Sequence, residues 1–303
     1  MSGFESGGVF NGKTAAFNTN RDGAYPPRLQ SLADNAVASI SLREQHMAEL
    51  LSADHPLPFV EILADNFLAM RGVHYQMLQA VAERYPVALH CVGMSVGSEV
   101  NSAYLMRVAL MAKELNAISV SDHLSLSQLP GAVVHDLLPI CYQEPVISGI
   151  CANIKRIQSQ LEVPFLLENV SRYTTYRDDN IQEGELFHRL HDATGVGMLL
   201  DVNNVYVTAH NLNLDAELLL LSYPRQAVCQ YHLAGHQSRP PLLVDTHGSH
   251  VCAEVWELYL KAIAHFGGHP TIIEWDNDIP PLVELLTSAD RAQHLMTPVA
   301  GVA

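Results

Sequence analysis

The chain has 303 residues, 48% of which are hydrophobic, and it carries 32 acidic against 17 basic side chains. This length suits a single α/β barrel with a large core, although it is longer than an average domain. The net charge of -15 disfavours a nucleic-acid-binding protein, because such proteins need a basic face.

The cysteines and the apolar runs bear on the compartment of the protein. Its five cysteines are scattered and form no CxxC pair, which argues against a disulfide framework and a zinc–thiolate site. This pattern suits a reducing setting, and no signal-like segment opens the chain, so we expect a cytoplasmic protein. No run of about 18 apolar residues is present, so we expect no membrane span.

Composition divides the chain into three segments. Residues 1–30 are rich in Gly, Asn and Ser, which predicts a flexible N-terminal arm. Residues 31–296 are predicted to form one barrel domain, and residues 297–303 a loose tail. We therefore expect the chemistry of the protein in the middle segment.

Eight short apolar runs divide the middle segment, and they begin near residues 36, 58, 86, 117, 163, 196, 227 and 270. Continuous apolar runs are typical of parallel strands that are covered on both faces. Amphipathic helical stretches follow most of them, over residues 74–85, 102–116, 144–161, 184–194 and 254–267. This alternation predicts a single (β/α)8 TIM barrel. An open doubly wound sheet is the alternative, but the chain has no glycine-rich nucleotide-binding loop.

Polar side chains stand at or just after the ends of six consecutive strands. They are His90, His123, Glu168, Asp201, His232, Asp245, His247 and Glu274. The carboxyl ends of all barrel strands lie on one face, where active sites form, so residues far apart in sequence converge there. The repetition over six strands predicts a functional site at that face.

Each residue taken alone also has a structural interpretation. A single histidine at a strand end is more often a hydrogen-bonded structural residue, and an acidic residue there is often a helix N-cap. Asn203 and Asn204 could cap a helix or turn the chain, and for Asp276 capping or exposure is as consistent as function. The set as a whole favours a site, because four buried carboxylates would repel one another without compensating cations.

The residue types in the set predict metal ions. All ligand atoms would be nitrogen or oxygen, which favours iron, manganese, zinc or magnesium over metals that need sulfur. Eight candidate ligands exceed the needs of one ion, and with bridging carboxylates they suit two or three ions about 3.5–4 Å apart.

Ten motifs in order along residues 36–290 resemble the multinuclear non-haem iron-dependent oxidase family, of the MbnB and TglH type. Among them are LREQH, VEILADN, YPVALHCVGMSVGS, SDHLS, LLENVSRY, LLLDVNNVYV, HLAGH, DTH and IEWDNDIPPL. The resemblance implies the predicted barrel and a cofactor of two or three iron ions in mixed Fe(II)/Fe(III) states, with O2 as cosubstrate. It also implies that the eight residues at the strand ends are the metal ligands.

The resemblance further implies a substrate and a partner. The substrate would be a ribosomally synthesised peptide containing a cysteine, and a small partner protein would bind its leader. The motif wording is closer to the 3-thiaglutamate type, in which the β-carbon of a C-terminal cysteine is excised. His46 and Asn204 would be catalytic, and Asn66, Asn169, Asn203 and His236 would contact the substrate.

Two other functions fit the same barrel. A metal-dependent phosphodiesterase or a sugar isomerase would use zinc or manganese without O2. An isomerase typically places a lysine near its metals, whereas the four lysines of this chain, Lys13, Lys113, Lys155 and Lys261, lie outside the strand ends. A non-catalytic metal-binding protein is the third possibility, and it would leave no coordination position open.

Overall fold

Eight parallel strands close into a barrel in the computed structural model, which describes residues 36–69, 71–129 and 132–297. The chain has twelve strands in this part: Ala38–Leu42 (β1), Val60–Leu63 (β2), Val87–His90 (β3), Ser119–His123 (β4), Ser125–Leu129 (β5), Ala132–Pro139 (β6), Phe165–Glu168 (β7), Gly197–Asp201 (β8), Val228–Leu233 (β9), Gln237–Arg239 (β10), Leu242–Val244 (β11) and Thr271–Ile273 (β12). The barrel order is β1-β12-β9-β8-β7-β4-β3-β2. The predicted TIM barrel is confirmed, and the open sheet is excluded because β1 pairs with both β2 and β12.

Each of the eight predicted apolar runs contains one barrel strand, and nearly every residue of these strands is buried. Burial on both faces explains why the runs are continuously apolar. Near the N-terminal ends of the strands, Phe59, Ala88, Ile118 and Ile272 form a small apolar cluster. The interior of the barrel is therefore filled by apolar side chains near the N-terminal ends of the strands and is polar at their carboxyl ends.

Nine helices accompany the strands in the described part of the chain: Glu44–Ser52 (α1), Val73–Arg84 (α2), Ser102–Glu114 (α3), Glu144–Gln160 (α4), Glu183–Thr194 (α5), Val202–Leu212 (α6), Ala216–Leu221 (α7), Ala253–Phe266 (α8) and Leu282–Met296 (α9). The five predicted helices are α2, α3, α4, α5 and α8. The predicted apolar face of α8 is confirmed, since Val255, Leu258, Tyr259 and Ala262 are all buried. No helix within these ranges is long and apolar enough to cross a membrane.

Two hairpins interrupt the alternation and were not predicted. Strands β5 and β6 follow β4, and β10 and β11 follow β9, so both hairpins extend from carboxyl ends of barrel strands. They stand at the face where the predicted site lies. The predicted arm over residues 1–30 lies outside the described residues, as does all of the predicted tail except Thr297.

Candidate metal centre

Three groups of side chains that could hold metal ions lie at the carboxyl ends of the strands, and in each group the ligand atoms lie within 4.8 Å of one another. The first ligand group is His90, His123 and Glu168; the second is Glu168, Asp201, His232 and Glu274; the third is His247, Glu274 and Asp276. Glu168 belongs to the first two groups and Glu274 to the last two. The groups therefore form a row joined by shared carboxylates, and one carboxylate can bridge two ions about 3.5–4 Å apart.

The register of neighbouring strands brings these residues together. His123 of β4 pairs with Glu168 of β7, and Asp201 of β8 pairs with His232 of β9. Side chains alternate between the two faces of a strand, so paired residues point to the same side of the sheet. Glu274 directly follows β12, where its backbone N–H donates to the carbonyl of Leu233.

The contacts within the groups fit metal ligation better than hydrogen bonding. Nδ1 of His232 lies 3.0 Å from Oε2 of Glu274, and Nδ1 of His247 lies 3.2 Å from the same oxygen. Yet both nitrogens, both Glu168 oxygens and Oδ2 of Asp201 are buried without a hydrogen-bond partner among the described residues. Two ligands bound at right angles by bonds of about 2.1 Å are about 3 Å apart. Buried polar atoms at that spacing, without hydrogen bonds, are a donor set suited to nitrogen- and oxygen-binding cations.

In three of the four histidines of the row, the second ring nitrogen lies close to a group outside the row. His90 Nδ1 lies 2.8 Å from the hydroxyl of Ser121, and His232 Nε2 lies 3.0 Å from Oε2 of Glu61. His247 Nε2 lies 2.7 Å from Oδ1 of Asp245. The hydrogen-bonded partners of His90 and His232 fix the ring orientation and determine which nitrogen is free to bind a metal. Neither nitrogen of His247 forms a hydrogen bond among the described residues.

Burial and the neighbouring carboxylates act in opposite directions on the histidines. Burial disfavours the charged form of His232, but the carboxylates around it, Glu61 first, raise its pKa well above its usual value. Burial likewise opposes charge on His123, whose pKa Glu168 and other carboxylates nonetheless raise to about 9. Burial also raises the pKa of Asp201 well above its ordinary range. The cluster thus concentrates negative charge that protons or metal cations must balance.

A cavity of about 800 Å³ lies at these groups, and five of its lining residues belong to them. They are His90, His123, His247, Glu274 and Asp276. Its wall includes Asn66, Asp136 of β6 and Tyr173, whose hydroxyl accepts a hydrogen bond from the backbone N–H of Asp245 at 3.0 Å. A ligand in this cavity can reach the atoms that could bind metal ions from the side of the strand ends.

Seven of the eight predicted ligands belong to the three groups, and Asp245 does not. Its carboxylate contacts Nε2 of His247 and accepts a hydrogen bond from the side chain of Asn203 at 2.8 Å. Asp245 therefore lies beside the third group, where it lines the cavity, and belongs to none of the three groups. Asp276, for which capping and function were equally consistent, is a member of the third ligand group.

The predicted catalytic residues His46 and Asn204 differ in their placement. Nε2 of His46 lies 2.8 Å from the carbonyl oxygen of Pro280, and His46 does not line the cavity. Asn204 does line it, but its amide donates to the carbonyl of Asn169 and accepts from the hydroxyl of Ser171. The structure therefore does not bring His46 to the row. It places Asn204 at the cavity, where both the nitrogen and the oxygen of its side-chain amide form hydrogen bonds.

The four predicted substrate contacts also separate. Asn66 lines the cavity. The side chain of Asn169 bonds both backbone groups of Asp201, with N–O distances of 2.9 Å, and so links β7 to β8. The side-chain oxygen of Asn203 accepts a hydrogen bond from Nδ1 of His236 at 2.8 Å, and neither residue lines the cavity. Of the four, only Asn66 thus lines the cavity.

Three buried charged residues at the site were not among the predicted site residues. Glu61 lies inside β2, Asp122 immediately precedes His123, and Arg43 follows β1. The Arg43 guanidinium contacts the carboxylate of Asp276 and donates to the carbonyl of Trp275 at 2.7 Å. A charged residue within or directly beside an apolar strand was the available signal.

Fold and site together define a (β/α)8 barrel whose strand ends carry buried histidine and carboxylate clusters that could hold metal ions. Residues 37–297 match the family described as RiPP precursor modification enzyme MbnB/TglH/ChrH, and the chain belongs to this family. RiPPs are ribosomally synthesised and post-translationally modified peptides. The expected family is therefore confirmed.

Relatives of this family are similar over nearly their whole length. The chain is 42% identical over 260 residues to a UPF0276 protein of Rhizorhabdus wittichii, covering 84% of this chain and 93% of that protein. It is 39% identical over 262 residues to a UPF0276 protein of Chromobacterium violaceum, covering 86% and 95%.

Solved structures with similar folds include sugar-converting enzymes. An L-ribulose 3-epimerase superposes with a TM-score of 0.52 at 13% identity, covering 86% of this chain and 89% of that chain. A xylose isomerase domain protein from Planctomyces limnophilus also gives 0.52 at 13% identity, covering 82% and 93%. At this identity the likeness shows the barrel fold alone.

Proposed function

We propose that this chain is a multinuclear non-haem iron-dependent oxidase that uses O2 to modify a cysteine of a RiPP precursor peptide. The observation that carries the proposal is the row of three ligand groups, joined by Glu168 and Glu274, beside a cavity of about 800 Å³. A site for a single ion would need no carboxylate that is shared between ligand groups. Membership of a family of RiPP precursor modification enzymes supports the peptide substrate.

The donor set supports iron. The three groups offer imidazole nitrogens and carboxylate oxygens, a mixture that suits iron, whereas soft metals prefer sulfur. Two or three bound iron ions would supply O2 activation, storage of oxidising equivalents and a binding position for the substrate thiolate. The protein residues would hold the ions at fixed spacing, orient the imidazoles through their outer nitrogens and position the substrate in the cavity.

The cavity supports a peptide end as the ligand. Its volume lies in the range of about 300–1,000 Å³ typical of small-ligand sites, which suits a few residues of an extended chain. Asn66, Met77 and Tyr173 give its wall amide, thioether and aromatic groups that can contact a peptide. Among cysteine modifications we favour β-carbon excision from a C-terminal cysteine, with a separate leader-binding protein; both rest on the motif resemblance.

The alternatives have less support. No lysine lines the cavity among the described residues, so the base typical of a sugar isomerase has no candidate there. A storage protein has no need for a wide cavity beside its ligands. None of the five cysteines, all of which lie in the described part of the chain, forms a disulfide bond, which suits a reducing cytoplasm.

The proposal is tested by metal analysis of protein made in iron-replete medium and purified without oxygen. We expect at least two irons per chain, partly ferrous by Mössbauer spectroscopy of iron-57 samples, and oxidation of the ferrous part by O2. Addition of a cysteine-containing precursor peptide should accelerate that oxidation, whereas its serine variant should not. Stoichiometric zinc or manganese with negligible iron would contradict the oxidase and promote a hydrolase or isomerase.

A further inference from the structure

Glu61 is a fully buried carboxylate that belongs to none of the three ligand groups. It lies in the middle of β2, between Val60 and Ile62, where the strand is otherwise apolar. Removal of a carboxylate from water is costly unless charge or hydrogen bonds compensate it. A residue of this kind inside a barrel strand therefore needs an explanation in its contacts.

The contacts of Glu61 are two nitrogens of one strand on the far side of the barrel interior. Nε2 of His232 lies 2.9 Å from Oε1 and 3.0 Å from Oε2, and the side chain of Gln230 donates to Oε2 at 2.8 Å. Both residues belong to β9, which is separated from β2 by β1 and β12. Since Gln230 and His232 are two residues apart, they face the same side of β9 and hold Glu61 together.

These contacts determine which nitrogen of His232 faces the row. A carboxylate accepts hydrogen bonds, so the ring proton stays on Nε2 and the lone pair on Nδ1. Nδ1 lies 3.0 Å from Oε2 of Glu274 and 3.6 Å from Oε1 of Glu168, the two shared carboxylates. Glu61 thus directs His232 into the second ligand group, in the middle of the row.

The three groups differ in the charge that surrounds them. The second group has three carboxylates and the additional negative charge of Glu61 behind its only histidine. The first has one carboxylate for two histidines. In the third, the Arg43 guanidinium contacts Asp276 and so offsets the charge of the carboxylate that this group does not share with the second.

We propose that Glu61 is a positioning residue that makes the middle position of the row the tightest metal site and the preferred site of the more oxidised ion. The chain of contacts from Gln230 through Glu61 to His232 orients the ligand and increases its donor strength. The preference for the more oxidised ion rests on the proposed function; the preference for tight binding holds for any divalent cation.

The test compares Glu61→Gln with Glu183→Gln as a matched control. Glu183 is also a buried carboxylate with a side-chain hydrogen bond, to the hydroxyl of Tyr223 at 2.7 Å, but it does not line the cavity. Both substitutions keep the shape of the side chain and remove its charge. Zinc affinity is measured by competition with a chromophoric chelator, because zinc binding needs no redox chemistry.

We expect Glu61→Gln to weaken the tightest zinc site by about 10- to 100-fold while the number of zinc ions bound at saturation stays the same. Glu183→Gln should leave zinc binding unchanged. Zinc binding of Glu61→Gln equal to that of the wild type, or an equal loss in Glu183→Gln, would overturn the assignment of Glu61. If Glu61→Gln does not fold, Gln230→Leu takes its place. We expect this variant to lose about two- to tenfold in zinc affinity at the same site.

Iron-57 Mössbauer spectra supply the second readout. At equal iron content, Glu61→Gln should contain a smaller ferric fraction than the wild type and Glu183→Gln, because the middle position has lost negative charge. An unchanged ferric fraction would refute the preference for the oxidised ion. A wild-type protein that binds zinc but no iron would refute the oxidase and that preference, and the zinc titration would still decide the positioning role.

Discussion

Replacement of Glu168 by glutamine tests whether this carboxylate is a metal ligand that the first two groups share. Oε2 of Glu168 lies 3.3 Å from Nε2 of His123 and 3.6 Å from Nε2 of His90, and Oε1 lies 3.6 Å from Nδ1 of His232. Neither oxygen has a hydrogen-bond partner in the described part of the chain. The glutamine amide keeps one oxygen and replaces the other by an NH2 group, which cannot bind a metal.

The magnitude follows from the ligand counts. The first group has three protein ligands and the second has four, so loss of the bridge leaves one group with fewer donors and removes one negative charge from both. We expect Glu168→Gln to bind one iron fewer per chain. The affinity for the iron that remains at the neighbouring group should fall by more than about 100-fold. Asp245→Asn is the matched comparison, and since Asp245 contacts His247 from outside the row, it should cost only about 10- to 100-fold.

The assay counts iron per chain after anaerobic desalting, with circular dichroism and thermal melting to verify that both variants fold. Retention of the wild-type iron count and spectrum by Glu168→Gln would refute the shared bridge. A larger loss in Asp245→Asn than in Glu168→Gln would show that Asp245 is the ligand, as the sequence predicted.

Three further predictions concern stability and substrate contact. Asn101→Ala should lower the free energy of unfolding by about 1 kcal/mol, because the Asn101 side chain caps α3 by accepting from the backbone N–H groups of Ala103 and Tyr104; urea unfolding that matches the wild type would contradict it. Burial lowers the pKa of His269 from 6.5 to about 4, so the folded state loses stability as pH falls from 6.5 to 4. His269→Gln should remove about 3 kcal/mol of that dependence, and parallel pH curves for variant and wild type would count against it. Tyr173→Ala should raise the KM for the peptide with less effect on kcat, since Tyr173 lines the cavity but belongs to none of the ligand groups; an unchanged KM would exclude contact.

The strands and the site face could be predicted because both depend on short-range patterns. A continuous apolar run such as residues 196–200 marks a strand covered on both faces, and a polar residue after it marks a strand end. In a barrel those ends meet on one face, so seven members of the ligand row were found without any knowledge of the register.

Helix α6 shows where local patterns fail. Its sequence, VNNVYVTAHNL, is rich in β-branched and Asn residues, which have low intrinsic helix propensity. The helix forms because Asp201 caps it and because most of its residues are buried, and both depend on tertiary packing. The hairpins β5–β6 and β10–β11 were likewise not predicted, because they lie between strands that already completed the pattern of eight.

The roles of individual site residues needed coordinates. Asp245 and Asp276 are both acidic residues just beyond a strand, and only the coordinates show that Asp276 belongs to a ligand group whereas Asp245 contacts His247 from outside the groups. Glu61 was overlooked because its partner His232 is 171 residues away in sequence, on another part of the barrel.

The row of bridged ions is tested most directly by anomalous X-ray diffraction at the iron edge from crystals of iron-loaded protein. The account predicts at least two iron peaks about 3.5–4 Å apart, one on each side of Glu168 or Glu274, with a third at the remaining group at full loading. A single peak, or peaks that share neither Glu168 nor Glu274, would contradict the multinuclear centre and with it the proposed oxidase.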